Sequence, residues 1–154
     1  MDIRSFKRDT EAVESGQWVE DIPQMGGLRL KVRGLGSKTY QAAFARLSRA
    51  VPKAERQRDG TFVPETVIRI MGQAAHEAVL LDWDGITEGD GGEAVPYDKD
   101  RAYTMLTDPE WRPFLDAVIW AAQVVDNESS GPREELVKNS VPPSAGTSKK
   151  AAAE

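Results

Sequence analysis

The stretch "LRLKVRG" alternates strictly, with Leu28, Leu30 and Val32 on one side and Arg29, Lys31 and Arg33 on the other. A period of two marks a half-buried strand. Upstream, "GQWVEDI" offers an antiparallel partner and "PQMGG" holds turn residues between them, so the pattern predicts an N-terminal two-stranded β-hairpin. After Gly34 and Gly36 the period lengthens. Ser37 is suited to cap a helix of about residues 38–50, in which Tyr40, Ala43, Phe44, Leu47 and Val51 recur at helical spacing. Pro52 disfavours helical geometry at Val51, leaving "PKAERQRDG" as a fresh turn of helix or a connector, and "DGTF" reads as a turn.

Pro64 fits the first position of a second helix, predicted to run to about Trp83. Its apolar stripe is Val67, Ile68, Met71, Ala75, Ala78 and Val79, with Arg69, Gln73, His76 and Glu77 turned away. An acidic loop and the extended "AVPY" follow. Asp98 caps a short third helix carrying Ala102, Met105 and Leu106. The fourth helix opens either with a first turn at Pro109 or at Pro113, and ends near Asp126. Beyond it "NESSGPREELVKNSVPPSAGTSKKAAAE" has almost nothing apolar to bury, beyond one helical turn around Glu134 to Lys138. The expected architecture is α+β, mainly α: a hairpin, about four helices and a disordered tail. Residues 1–15 read as a flexible N-terminus, 16–126 as one globular domain and 127–154 as the tail.

Composition narrows the chemistry. With 154 residues and 40% hydrophobic content the chain suffices for one core. No stretch approaches the roughly 20 apolar residues of a membrane span, and "MDIRSFKRDTEAVESG" lacks the apolar centre of a secretory signal, so a cytoplasmic location is expected. The absence of cysteine excludes disulfides, thiolate metal sites and Cys nucleophiles, and a single His excludes a His-rich metal site within one chain. The net charge of −5 conceals a polarity: residues 1–60 hold 12 Lys/Arg against 8 Asp/Glu, whereas residues 61–154 hold 8 against 17. Such polarity can steer a partner or align copies of the chain head to tail.

In "DWDGITEGDGGE" the carboxylates Asp82, Asp84, Asp90 and Glu93 fall at positions 1, 3, 9 and 12 of a calcium loop, but Ile86 and Thr87 stand where a ligand and the hinge glycine belong. A solvated turn built on Asp90-Gly91-Gly92 fits better. His76, on the polar side of its helix, reads as a rim histidine, and "GLGS" and "GDGG" match no nucleotide-binding pattern. No catalytic constellation or cofactor site is present, so the chain reads as a non-enzyme. The window 29–58 holds nine basic residues and one acid, with Arg46 and Arg49 on one helix face. Its aromatics Tyr40 and Phe44 lie on the apolar stripe, leaving no stacking platform, so nucleic-acid binding is the weaker reading, and a solvated basic face, or one that meets an acidic protein partner, is the stronger. The fourth helix is apolar nearly all round: beyond the stripe of Trp111, Phe114, Leu115, Val118, Ile119, Ala122 and Val125 it carries Ala117, Trp120, Ala121 and Val124. Either other helices clasp it from both sides or this second face meets a partner.

The run "VLLDWDGITEGDGGEAVPYDKDRAYTMLTDPEWRPFLDAVIWAAQ" resembles the tail assembly chaperones of long-tailed bacteriophages, through Val79, Leu80, Trp83, Gly85, Pro96, Tyr97, Ala102, Leu106, Asp108, Pro109, Phe114, Val118 and Ala121. "GQWVEDIPQMGGLRLKVRGL" and "KTYQAAFARL" resemble the N-terminal half of the same family. The resemblance implies a non-enzymatic role in the host cytoplasm: binding the tape-measure protein, keeping it soluble, recruiting tail-tube subunits, and absence from the mature virion. On this reading Trp120, Val124, Ala117, Ala121 and Trp83 supply the apolar contact. Arg46, Arg49, Asp84, Glu88 and Asp90 supply partner choice or self-association.

Overall fold

The computed structural model describes residues 1–129; most of the expected tail lies outside the described residues. In chain order the elements are α1 (Thr10–Ser15), β1 (Gln17–Val19), β2 (Arg29–Val32), α2 (Lys38–Arg49), α3 (Pro64–Ala78), β3 (Leu80–Asp84), α4 (Lys99–Thr107) and α5 (Arg112–Glu128), with short 3-10 turns at Ile3–Phe6, Lys53–Glu55 and Pro109–Trp111. The class is α+β and mainly helical. Ser37 caps α2 by accepting from the Tyr40 N–H, Pro64 opens α3, and Asp98 caps α4 through the Arg101 N–H. Pro109 opens the 3-10 turn and Pro113 lies in the first turn of α5, so the two candidate starts of the fourth helix are successive turns.

The sheet has one more strand than the sequence pattern predicts. Its order is β1-β2-β3, antiparallel throughout, with Val19 opposite Leu30 and Leu30 opposite Trp83. The second predicted helix therefore stops at Ala78, not near Trp83. An unpaired β2 edge would leave a row of backbone donors and acceptors unsatisfied. Residues 80–84 satisfy them, and the turn out of α3 is fixed by Arg33: its N–H donates to the Val79 carbonyl at 2.9 Å and its guanidinium to the Ala78 carbonyl at 3.3 Å. A register shift between Lys31 and Val32 brings Val32 opposite Leu80 and leaves Leu81 as the extra residue.

Leu30, Val32, Leu80 and Trp83 are buried, as are Phe114, Leu115, Val118, Ala122 and Val125 of α5. Together they form the main core, with α5 lying between the sheet and the α3–α4 pair. On the far side of α3, Ala74 and Ala78 pack on Ala43 and on half-buried Tyr40, Phe44 and Leu47 of α2. Burial of α3 departs from the predicted stripe: Thr66, Ile70, Gly72, Ala74, Ala75 and Ala78 are buried, whereas Val67, Ile68 and Met71 are only half covered. The helix α1, with Val13 buried and the Asp9 carboxylate capping the Ala12 N–H at 3.1 Å, was not predicted; residues 1–15 read as a flexible N-terminus in the sequence.

Candidate interaction surface

The half-covered residues of α3 and α5 face each other. Ile68 and Met71 from α3, and Ile119 and Trp120 from α5, line a depression of ≈ 370 Å³. A second, of ≈ 500 Å³, continues it past Leu106 and Pro109 and shares Ile68, Arg112 and Leu115 with the first. The floor is apolar. The rim carries Glu65, Arg69, Asp108, Arg112, Asp116 and Gln123. Two rim cations are already paired, Arg69 with Glu55 at 2.6 Å and Arg112 with Asp116 at 2.8 Å. The Arg69 guanidinium, chiefly through its hydrogen bond, holds the Glu55 carboxyl below its ordinary value.

The sequence-predicted contact residues separate into two sets. Trp120 and Val124 are half-exposed on α5. Ala117 and Ala121 are buried, and Trp83 is buried as well, so no partner reaches these three in this fold. Trp83 instead anchors the acidic loop. Its Nε1–H donates to the Val95 carbonyl at 2.8 Å, and its ring meets Tyr97 and Phe114 edge-on at 5.0 and 5.9 Å between centroids. The two expected arrangements of the fourth helix thus coexist: most of α5 is clasped, by the sheet and by α3–α4, and one strip stays open. Ile68, Met71 and Ile119 lie on the apolar stripes that the sequence predicts for their helices. Periodicity places them on an apolar face but says nothing of whether a neighbour covers it.

The charged candidates do not converge. Asp84 pairs with Arg29 at 3.3 Å and Glu88 with Arg101 at 3.1 Å, while Arg46 is bonded to Glu77 across α2 and α3. Arg49 and Asp90 are exposed. The loop folds on itself, with the Glu88 N–H donating to the Glu93 carbonyl at 2.9 Å and the Val95 N–H to Ile86 at 2.8 Å. Its root needs glycine: Gly85 has φ +88, and a Cβ there would lie 2.0 Å from the Gly27 carbonyl oxygen. Among the described residues no three His, Asp or Glu side chains come together as metal ligands would. His76 is half-buried, with Nε2 2.9 Å from the Lys99 carbonyl and its ring edge-on to Tyr103. Of the basic window, Arg29, Arg33, Arg46 and Arg56 are engaged within the chain; Arg29 lies 4.9 Å from the Trp18 ring centroid and Arg56 donates to the Ser48 carbonyl at 3.2 Å.

Residues 35–139 match the model of a family described as YdaY prophage protein. The chain belongs to that family. The phage setting implied by the sequence resemblance is therefore the setting of its own family, whose description names no tail assembly role. No curated protein and no solved structure matches the chain. The YdaY match begins after β2, so both walls of the groove, α3 and α5, belong to the family segment, whereas α1 and the β1–β2 hairpin precede it. No helix among the described residues of this YdaY protein is long and apolar enough to cross a membrane.

Proposed function

We propose that this prophage protein is a non-enzymatic tail assembly chaperone, which holds amphipathic helices of the tape-measure protein in the α3–α5 groove and helps bring tail-tube subunits to them in the host cytoplasm. The observation that carries the reading is the groove itself. Its floor of Ile68, Met71, Leu115, Ile119 and Trp120, bordered by charges of both signs, matches the mode in which an amphipathic helix lays its apolar face into an apolar channel. A client helix needs such cover until the tail forms, because a large exposed apolar face drives aggregation. The tail-assembly part of the reading rests on the resemblance of residues 79–123; the groove supports helix binding in general. Coexpression of the full chain with the tape-measure protein of the same prophage tests both. The unmodified chain is expected to keep the client in the soluble fraction and to copurify with it. Trp120→Asp is expected to keep its thermal transition while losing the client. An insoluble client in the presence of the unmodified chain, or an unfolded Trp120→Asp chain, overturns the assignment of the groove.

A further inference from the structure

The charges around the α3–α5 groove are unevenly spread along it. The depression beside Ile119, Trp120 and Gln123 carries Arg112 and Asp116, which pair with each other at 2.8 Å. The depression beside Leu106 and Pro109 carries Glu65, Arg69 and Asp108 and shares Arg112. Arg69 is bonded to Glu55 at 2.6 Å, a carboxylate outside the lining. Were Arg69 to turn to Glu65, its i,i+4 neighbour on α3, Glu55 would be left over in its place. Either way, once those bonded partners are counted, four carboxylates stand against two guanidinium groups, and the excess lies at the Pro109 end. Glu65 is exposed. Asp108 is half-buried and accepts from the Glu110 N–H at 2.9 Å, a bond that leaves its charge in place. At the Trp120 end the lining holds no uncompensated charge.

A helix laid in the groove therefore meets a charge condition at one end and none at the other. From Arg112 to Gln123 α5 rises about 17 Å, or about three turns. A client helix of that length sets its apolar stripe on Ile68, Met71, Leu115, Ile119 and Trp120, and its terminal turn beside Glu65 and Asp108. Two carboxylates repel an acid in that turn and attract a lysine or arginine. We infer that the groove selects amphipathic helices whose apolar stripe ends in a basic residue, seated against Glu65 and Asp108. The inference rests on the groove being a helix site, as proposed above, and adds what picks one helix over another. Apolar area supplies the affinity, whereas the acidic end supplies discrimination and register, because a helix slipped by one turn takes its cation away from both carboxylates.

Binding of three synthetic helical peptides to the full chain tests it. They share one Leu–Ala stripe and differ only in the residue pair that ends it: Lys, Gln or Glu. The Lys peptide is expected to bind tightest and the Glu peptide weakest, by at least about fivefold between them at low ionic strength, with the gap closing as salt is added. Glu65→Gln with Asp108→Asn, which keeps a capping side chain at 108, is expected to abolish the order, and Glu65→Lys with Asp108→Asn to invert it. Trp120→Asp is expected to weaken all three alike. Equal binding of the three peptides, or an order that survives both charge variants, overturns the inference and leaves the groove standing. If none of the three binds the unmodified chain, or if Trp120→Asp leaves their binding intact, the groove itself is not the helix site and both readings fall.

Discussion

At the scale of single residues, one glycine on a helix face sets how closely two helices approach. Gly72 lies inside α3, where Gly→Ala on an open surface would stabilise by about 1 kcal/mol through helix propensity. Here the sign reverses. A Cβ at Gly72 would lie 2.2 Å from the Leu106 carbonyl oxygen, which is backbone and moves only if α4 moves. Against backbone at this distance the cost of overpacking belongs at the upper end of about 1–3 kcal/mol, larger than the propensity gain. Gly72→Ala is therefore expected to lower the denaturation midpoint by a net loss on the order of 1–2 kcal/mol, measured in urea at unchanged slope. An unchanged or higher midpoint would mean that α3 and α4 are not in contact along this line. Asp126 shows the converse economy: its carboxylate accepts from the Leu35 and Gly36 N–H groups at 3.0 Å each, and so fixes the loop that enters α2 from across the molecule.

At the scale of elements, the entry to α2 is tied to α1 by one carboxylate. Glu14 accepts from the Lys38 N–H and, at 2.9 Å, from the Thr39 hydroxyl. The Lys38 N–H is the main reason that its carboxyl sits below the ordinary 4.5, with the Thr39 hydroxyl second. A lowered folded value stabilises the fold fully above pH 4.5, and that contribution is lost as pH falls through the lowered value. Glu14→Gln is expected to show a constant deficit in melting temperature at neutral pH that narrows as the pH drops below that point. A deficit that does not change with pH would mean that the charge of Glu14 contributes nothing. The elements also show what the sequence could disclose. Ser37, Pro64 and Asp98 carry local signals, caps and a fixed φ, and the helices they open begin where those signals lie. The strand β3 carries none: "LLDWD" continues the apolar run of α3 without a Gly or Pro between them, and only the open edge of β2, a long-range demand, makes it a strand. The helix α1 has a single buried residue, Val13, too little for a period. The groove was half legible for a related reason. Trp120 and Val124 stood out because they widened the apolar arc of α5, whereas Ile68 and Met71 lay on an ordinary stripe and stay half-open because α3 turns Ile70 and Ala74 inward in their place.

At the scale of the whole molecule, two surfaces compete for the role of binding site, and their physics differs. The groove offers apolar area, which salt leaves largely untouched. The basic window offers Arg49, Lys53 and Arg58, all exposed, on a chain whose net charge is −5. A nucleic-acid site there would gain its affinity by displacing counterions, and with about three phosphate contacts would lose it steeply as salt rises. The engagement of Arg29, Arg33, Arg46 and Arg56 within the chain leaves the window with less to offer than its composition suggests. The expected outcome is a double dissociation. Arg49→Glu, Lys53→Glu and Arg58→Glu together leave client solubilisation unchanged, Trp120→Asp abolishes it, and neither chain nor variant shifts single- or double-stranded DNA at low salt. Salt-steep binding to DNA that the triple variant removes and Trp120→Asp leaves intact would move the function from the groove to the basic end of the molecule.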